Sequence, residues 1–77
     1  MINVTLLEGK IGSKYMVLDI DLEDGISRRL EALGMTNGTK LLILNNKRSG
    51  SVIFKVRGTR LAIGKKIASS IQVEEVI

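Results

Sequence analysis

Leu33-Gly34-Met35-Thr36-Asn37-Gly38-Thr39 and Val56-Arg57-Gly58-Thr59-Arg60-Leu61-Ala62-Ile63 are the two stretches whose reading decides the fold. The first ends a helix on a glycine. Gly34 fits the position just past the helix end, where positive φ is comfortable only for a residue without a Cβ. Met35 can then fold back onto Leu30, the apolar contact that accompanies such a cap. Thr36 to Thr39 reads as a turn, since Asn-Gly accepts left-handed backbone. The second stretch is strand, turn and strand. Gly58-Thr59 is expected as a two-residue connection with glycine first, which suits a type II′ turn.

Working outward, Tyr15 to Leu22 alternates, with Met16, Leu18, Ile20 and Leu22 on one face and Tyr15, Val17, Asp19 and Asp21 on the other. A strand with one buried side follows. Asp24 is placed as an N-cap. Ile26, Leu30 and Leu33 then form one apolar stripe at helical spacing. Lys40 to Leu44 is an apolar strand, and Asn45 to Ser51 a polar loop. Val52, Phe54 and Val56 alternate with Ile53, Lys55 and Arg57. Gly64 to Ser70 allows a turn or two of helix before a closing strand at Ile71 to Val73. The chain is therefore mainly β, with about five short strands and one or two short helices. Strands so short bury a core only by closing on themselves, which predicts an SH3-like small β-barrel. Only one segment is long enough for a crossover helix, which argues against a layered α/β fold.

Residues 1–77 form a single domain by length, and a chain this short buries only about 60% of its unfolded surface. The absence of cysteine and histidine removes disulfides, thiolate metal sites and the commonest general base. The N-terminus lacks the pattern of a signal peptide, and apolar runs such as Leu41 to Leu44 fall far short of the roughly 20 residues of a membrane span. A cytoplasmic protein without direct membrane insertion is expected. The net charge is +4, and its placement is uneven. No acid occurs between Ala32 and Val73, where Lys40, Lys47, Arg48, Lys55, Arg57, Arg60, Lys65 and Lys66 all fall. That asymmetry fits an anionic partner, although a basic solvated face is an equally simple reading.

The carboxylates do not assemble into a recognisable site. Counting a calcium loop from Asp19 puts Asp24 and Leu30 where glycine and glutamate are required. A solvated strand face running into a helix start accounts for Asp19, Asp21 and Asp24, so no metal site is assigned. Gly58-Thr59-Arg60 lacks the ending of a phosphate-binding loop, and Ser69-Ser70 has no base to activate it. No catalytic residue and no cofactor is expected. Arg57 and Arg60 flank the hairpin turn as like-charged neighbours, an arrangement that a bound anion would relieve. Lys55, on the same strand face as Arg57, and Lys65 extend the patch. Leu30, Leu33 and Met35 read as core; should part of that set be exposed as an apolar docking patch at the helix end, Met35, an adaptable side chain, is its candidate member. The candidate partner-binding residues are thus Met35, Lys55, Arg57, Arg60 and Lys65. An unfinished apolar edge also points to self-association.

Nearly the whole chain resembles the FeoA family. Leu6-Leu7-Glu8-Gly9-Lys10-Ile11-Gly12 resembles the family's leader, and Arg29 to Thr36 its helix and glycine cap. Val56 to Ile63 resembles its hairpin, and Ile67 to Val73 its short helix and last strand. One departure is Asn37-Gly38, where the family commonly has Pro-Gly. Proline would preset φ in that turn, so asparagine costs about 0.4–1 kcal/mol in unfolded-state entropy. The resemblance implies a non-enzymatic cytoplasmic accessory protein of ferrous iron uptake that binds the transporter FeoB. A similar domain occurs in iron- and manganese-dependent repressors. The competing reading is a nucleic-acid-binding small β-barrel, motivated by the basic middle of the chain. Such proteins stack bases on exposed aromatics. Only Tyr15 and Phe54 are aromatic here, and Phe54 shares a face with Val52 and Val56, so no nucleic-acid partner is expected.

Overall fold

Alternating apolar residues build most of the strands. The structure, a computed structural model, describes residues 3–47 and 50–76. Arg48 and Ser49, in the middle of the expected polar loop, lie outside them. The strands are β1 (Asn3–Thr5), β2 (Lys14–Ile20), β3 (Lys40–Asn46), β4 (Ser51–Val56), β5 (Thr59–Gly64) and β6 (Ile71–Glu75). A short 3-10 helix, Leu6–Glu8, follows β1. Helix α1 spans Asp24–Ala32 and α2 spans Lys65–Ala68. All strand pairs are antiparallel, in the order β1-β6-β2-β3-β4-β5.

This is the mainly-β, SH3-like architecture expected from the sequence, but the hydrogen-bonded sheet is not closed. Among the described residues β5 and β1 are its two ends. With only three residues, β1 pairs with β6 alone. Helix α2 packs against β4, β5 and the 3-10 helix, which in turn packs against β6. Leu6 and Ala68, both fully buried, therefore cover the core where no ladder does. The buried set contains only apolar side chains and Tyr15, with Phe54, Leu6, Met35, Ile43 and Ile71 the largest fully buried ones.

Strand β4 behaves as its alternation predicts, with Val52, Phe54 and Val56 buried. Strand β2 does not. Tyr15 and Val17 point into the core, and the half-buried Ile20 and Leu22 pack against it further on. The cause is a bulge. Val17 pairs with Val73 and Asp19 with Gln72, so β2 advances two residues while β6 advances one. The extra residue, Leu18, switches which parity faces inward. A second bulge, between Ile43 and Asn45, leaves Leu44 as the extra residue and exposes it.

Helix α1 begins one residue earlier than expected. Glu23, not Asp24, is the N-cap, and its side chain makes no capping bond. Asp24 instead occupies the first helical turn, where the positive end of the helix dipole favours a carboxylate. At the other end, the Gly34 N–H donates to the Glu31 carbonyl at 3.0 Å and the Met35 N–H to the Leu30 carbonyl at 2.9 Å. These are the two bonds of a Schellman motif, with Gly34 at φ 104°. The turn after it is closed by the Thr39 N–H donating to the Thr36 carbonyl at 3.0 Å, with Gly38 at φ 87°.

Candidate functional site: a cationic sheet face

The β4–β5 hairpin differs from expectation by one residue. Val56 pairs with Thr59, so the turn is Arg57-Gly58, not Gly58-Thr59. Arg57 has φ 49° and Gly58 has φ 79°. Two central residues at positive φ make a type I′ turn, which, like the type II′ turn expected, matches the twist of the flanking strands. The shift has a consequence for charge. Arg57 lies in the turn, and the cation directly opposite Arg60 is Lys55.

Pairing the strands in register brings further cations to the same face. Lys14 on β2 lies opposite Leu42 on β3, Leu42 opposite Lys55 on β4, and Lys55 opposite Arg60 on β5. Adjacent strands are about 4.8 Å apart, so this row spans about 14 Å. Lys40 stands two residues from Leu42 and Arg57 two residues from Lys55, which places both beside the row. Lys14, Lys40, Lys55 and Arg57 surround a shallow pocket of about 220 Å³, with Leu41, Leu42 and Gly58 completing its lining. No carboxylate lines it. All five cations are exposed, while Leu42 between them is half-buried.

Arg57 has a second role. A Cβ placed on Gly34 would lie 3.1 Å from Arg57 Cδ and 3.6 Å from its Cγ. The arginine stem therefore lies on the bare Cα of Gly34, at the C-terminal end of α1, where a helix dipole favours positive charge. The two stretches that open the sequence reading meet at this contact.

The other candidates fall elsewhere. Met35 is 0% exposed, in line with its reading as core, which removes it from the candidate partner-binding residues. The Schellman bonds turn it back onto Leu30 and into the core. The exposed apolar residue at that helix end is Leu33, at 44%. Lys65 does not join the cationic row. It lines a separate groove of about 680 Å³ with Leu7, Glu8, Gly9, Lys10, Ile11 and Asn46. Lys14 and Lys40 were missed as site residues. Their only local signal is position, since each directly precedes a residue that proves to be buried, Tyr15 and Leu41. Among the described residues no three carboxylates gather as metal ligands, and no helix is long and apolar enough to cross a membrane.

The larger groove is organised by Asn46. Its Nδ2 donates to the Leu7 carbonyl at 2.9 Å and to the Gly9 carbonyl at 2.7 Å, tying the loop before β2 to the end of β3. Tyr15 Oη accepts from the Lys10 N–H at 2.9 Å within the same loop. Replacing Asn46 by alanine is expected to cost about 1–2 kcal/mol, from two lost hydrogen bonds in a half-buried setting. Urea unfolding measures this directly. A cost below about 0.5 kcal/mol would show that solvent replaces the amide fully.

Comparison with known proteins places this arrangement in a family. The sequence profile of the FeoA domain matches residues 4–75. A Methanocaldococcus jannaschii protein with the provisional name Fe(2+) transport protein A is 36% identical over 66 residues, covering 86% of this chain and 79% of that protein. The crystal structure of an iron uptake regulatory protein, FeoA, superimposes with a TM-score of 0.89 at 31% identity, covering 97% of this chain and 100% of the other. A manganese-dependent transcriptional repressor shares the fold alone, with a TM-score of 0.85 at 18% identity over 96% of this chain and 42% of its own. With the profile spanning both the helix cap and the hairpin that meet at Gly34 and Arg57, the chain belongs to the FeoA family.

Proposed function

We propose that this protein is a non-enzymatic accessory and regulatory protein of ferrous iron uptake, acting in the cytoplasm by binding the cytoplasmic part of the transporter FeoB. The observation that supports this most is the FeoA profile match over residues 4–75. The names borne by its relatives, an Fe(2+) transport protein A and an iron uptake regulatory protein, point the same way. The surface chemistry agrees with a binding role. The pocket on the sheet face is lined by three lysines, an arginine, two leucines and a glycine, with neither a nucleophile nor a carboxylate base.

The nucleic-acid reading has the basic face and the repressor-like fold in its favour. Against it, Tyr15 is 2% exposed and Phe54 is 0% exposed, so neither of the chain's aromatic side chains forms a stacking platform. Calorimetry of this protein with the complete transporter in nanodiscs, with and without GTP and beside a single-stranded DNA control, tests the proposal. Saturable binding to the transporter and none to DNA is expected. Binding to DNA that weakens steeply with salt, with none to the transporter, would replace this reading by the other.

A further inference from the structure

We propose that the face formed by Lys14, Lys40, Leu42, Lys55, Arg57 and Arg60 docks an extended acidic polypeptide segment that carries an aliphatic residue between two carboxylates. This deepens the reading above by specifying the contact. It rests on that reading only for the identity of the partner.

Charge arrangement is the first argument. Lys55 and Arg60 are a direct cross-strand pair, and Lys14 and Lys55 flank Leu42 from the two neighbouring strands. Like charges set opposite one another destabilise a sheet. Lys40 and Arg57 add to this at the pocket rim, where no acid compensates them. The free protein carries this repulsion, and an anionic ligand converts it into attraction.

Shape decides which anion. The half-buried Leu42 is the one apolar position in the row, with an exposed lysine on each neighbouring strand. A bare phosphate would leave that apolar position uncovered. In an extended chain, side chains at alternate positions face the same way, about 6.6 Å apart. Three such side chains span about 13 Å, close to the roughly 14 Å of the row. An acid near Lys14, an aliphatic side chain over Leu42, and an acid near Lys55 and Arg60 fill it in order, with Lys40 and Arg57 alongside. A flat anionic membrane fits poorly, since Leu42 is half-buried between exposed lysines and offers little apolar surface to enter lipid. A nucleic-acid strand would find no exposed aromatic to stack on.

Titration of the isotopically labelled full chain with a short blocked peptide holding glutamate, leucine and glutamate at alternate positions tests the proposal. Saturable binding is expected, with amide shifts centred on Lys14, Lys40, Leu42, Lys55 and Arg60. The variant Lys55→Glu/Arg60→Glu should weaken it at least about tenfold, which is about 1.4 kcal/mol. A peptide with serine for leucine should bind several-fold more weakly. Should the reversed variant fold poorly, Lys14→Gln/Lys55→Gln serves instead. It should be at least as stable as the parent and still lose affinity. Absence of saturation, shifts centred elsewhere, concentration-dependent self-association through this face, or tighter binding to phosphatidylserine vesicles or to single-stranded DNA would each overturn the proposal. The complete transporter separates the two readings. If it binds the parent and the reversed variant equally, this docking surface is refuted and the accessory role stands. If the peptide binds as described and the transporter does not, the surface stands and the accessory role fails.

Discussion

Phe54→Ala is expected to bring the domain to the edge of unfolding at room temperature. Phe54 is 0% exposed and is the largest of the fully buried side chains. It sits on β4, which pairs with β3 on one side and β5 on the other, and its ring belongs to the buried apolar cluster. Truncating a buried phenylalanine to alanine costs about 3–5 kcal/mol, from lost transfer energy and from the cavity left behind. A chain of 77 residues has a total stability of roughly 4–12 kcal/mol, at about 0.05–0.15 kcal/mol per residue. Small domains lie toward the low end of that range. The substitution therefore removes between about a quarter of the stability and all of it. Thermal melting followed by circular dichroism should show Tm lowered by about 12–40 °C, at about 4–8 °C per kcal/mol for a domain of this size. A drop of less than about 5 °C would mean that the neighbouring strands collapse into the gap. In that case Phe54 would not be the centre of the core.

That Phe54 is core could be read from the sequence, because β4 is regular and its alternation runs unbroken through Val52 and Val56. The inward face of β2 could not. Its parity switches at Leu18, and the switch is a property of the pairing between β2 and β6, not of the residues of β2 alone. The hairpin shows the same difficulty. Glycine marks a turn, but whether Gly58 is its first or second central residue depends on Val56 lying opposite Thr59. Both registers give a primed turn, type II′ or type I′, so turn preference alone does not choose between them. For Met35, the fold back onto Leu30 and the core reading agree, and the Schellman geometry excludes the alternative of an exposed docking side chain. The candidate site was half legible. Lys55, Arg57 and Arg60 are close in sequence and end close in space. Lys14 and Lys40 reach them only through a ladder linking β2, β3 and β4, and Lys65, though nearer in sequence, is carried to another groove by α2.

Gly34→Val should produce the second large effect, and its origin can be divided between two causes. Gly34 has φ 104°, beyond the small left-handed region that other residues enter, and a β-branched side chain there is strained wherever it points. Such backbone strain costs about 1–3 kcal/mol. The added Cβ would also lie 3.1 Å from Arg57 Cδ, so the arginine stem must lift off the helix end. The type I′ turn fixes the Arg57 backbone at φ 49°, but its exposed side chain can relieve the clash by rotating off the helix end. A total loss of about 2–3 kcal/mol is expected, with the steric part relieved when Arg57 is shortened. A double-mutant cycle with Arg57→Ala isolates that part. If the contact matters, the paired variant should be more stable than the sum of the single losses predicts, by about 0.5–1 kcal/mol. Strict additivity would show that the backbone alone demands glycine, and that Arg57 is free to swing toward the sheet face. A non-additive result would mean that the helix cap sets the position of Arg57. A mutation at Gly34 would then reach the cationic face without touching it.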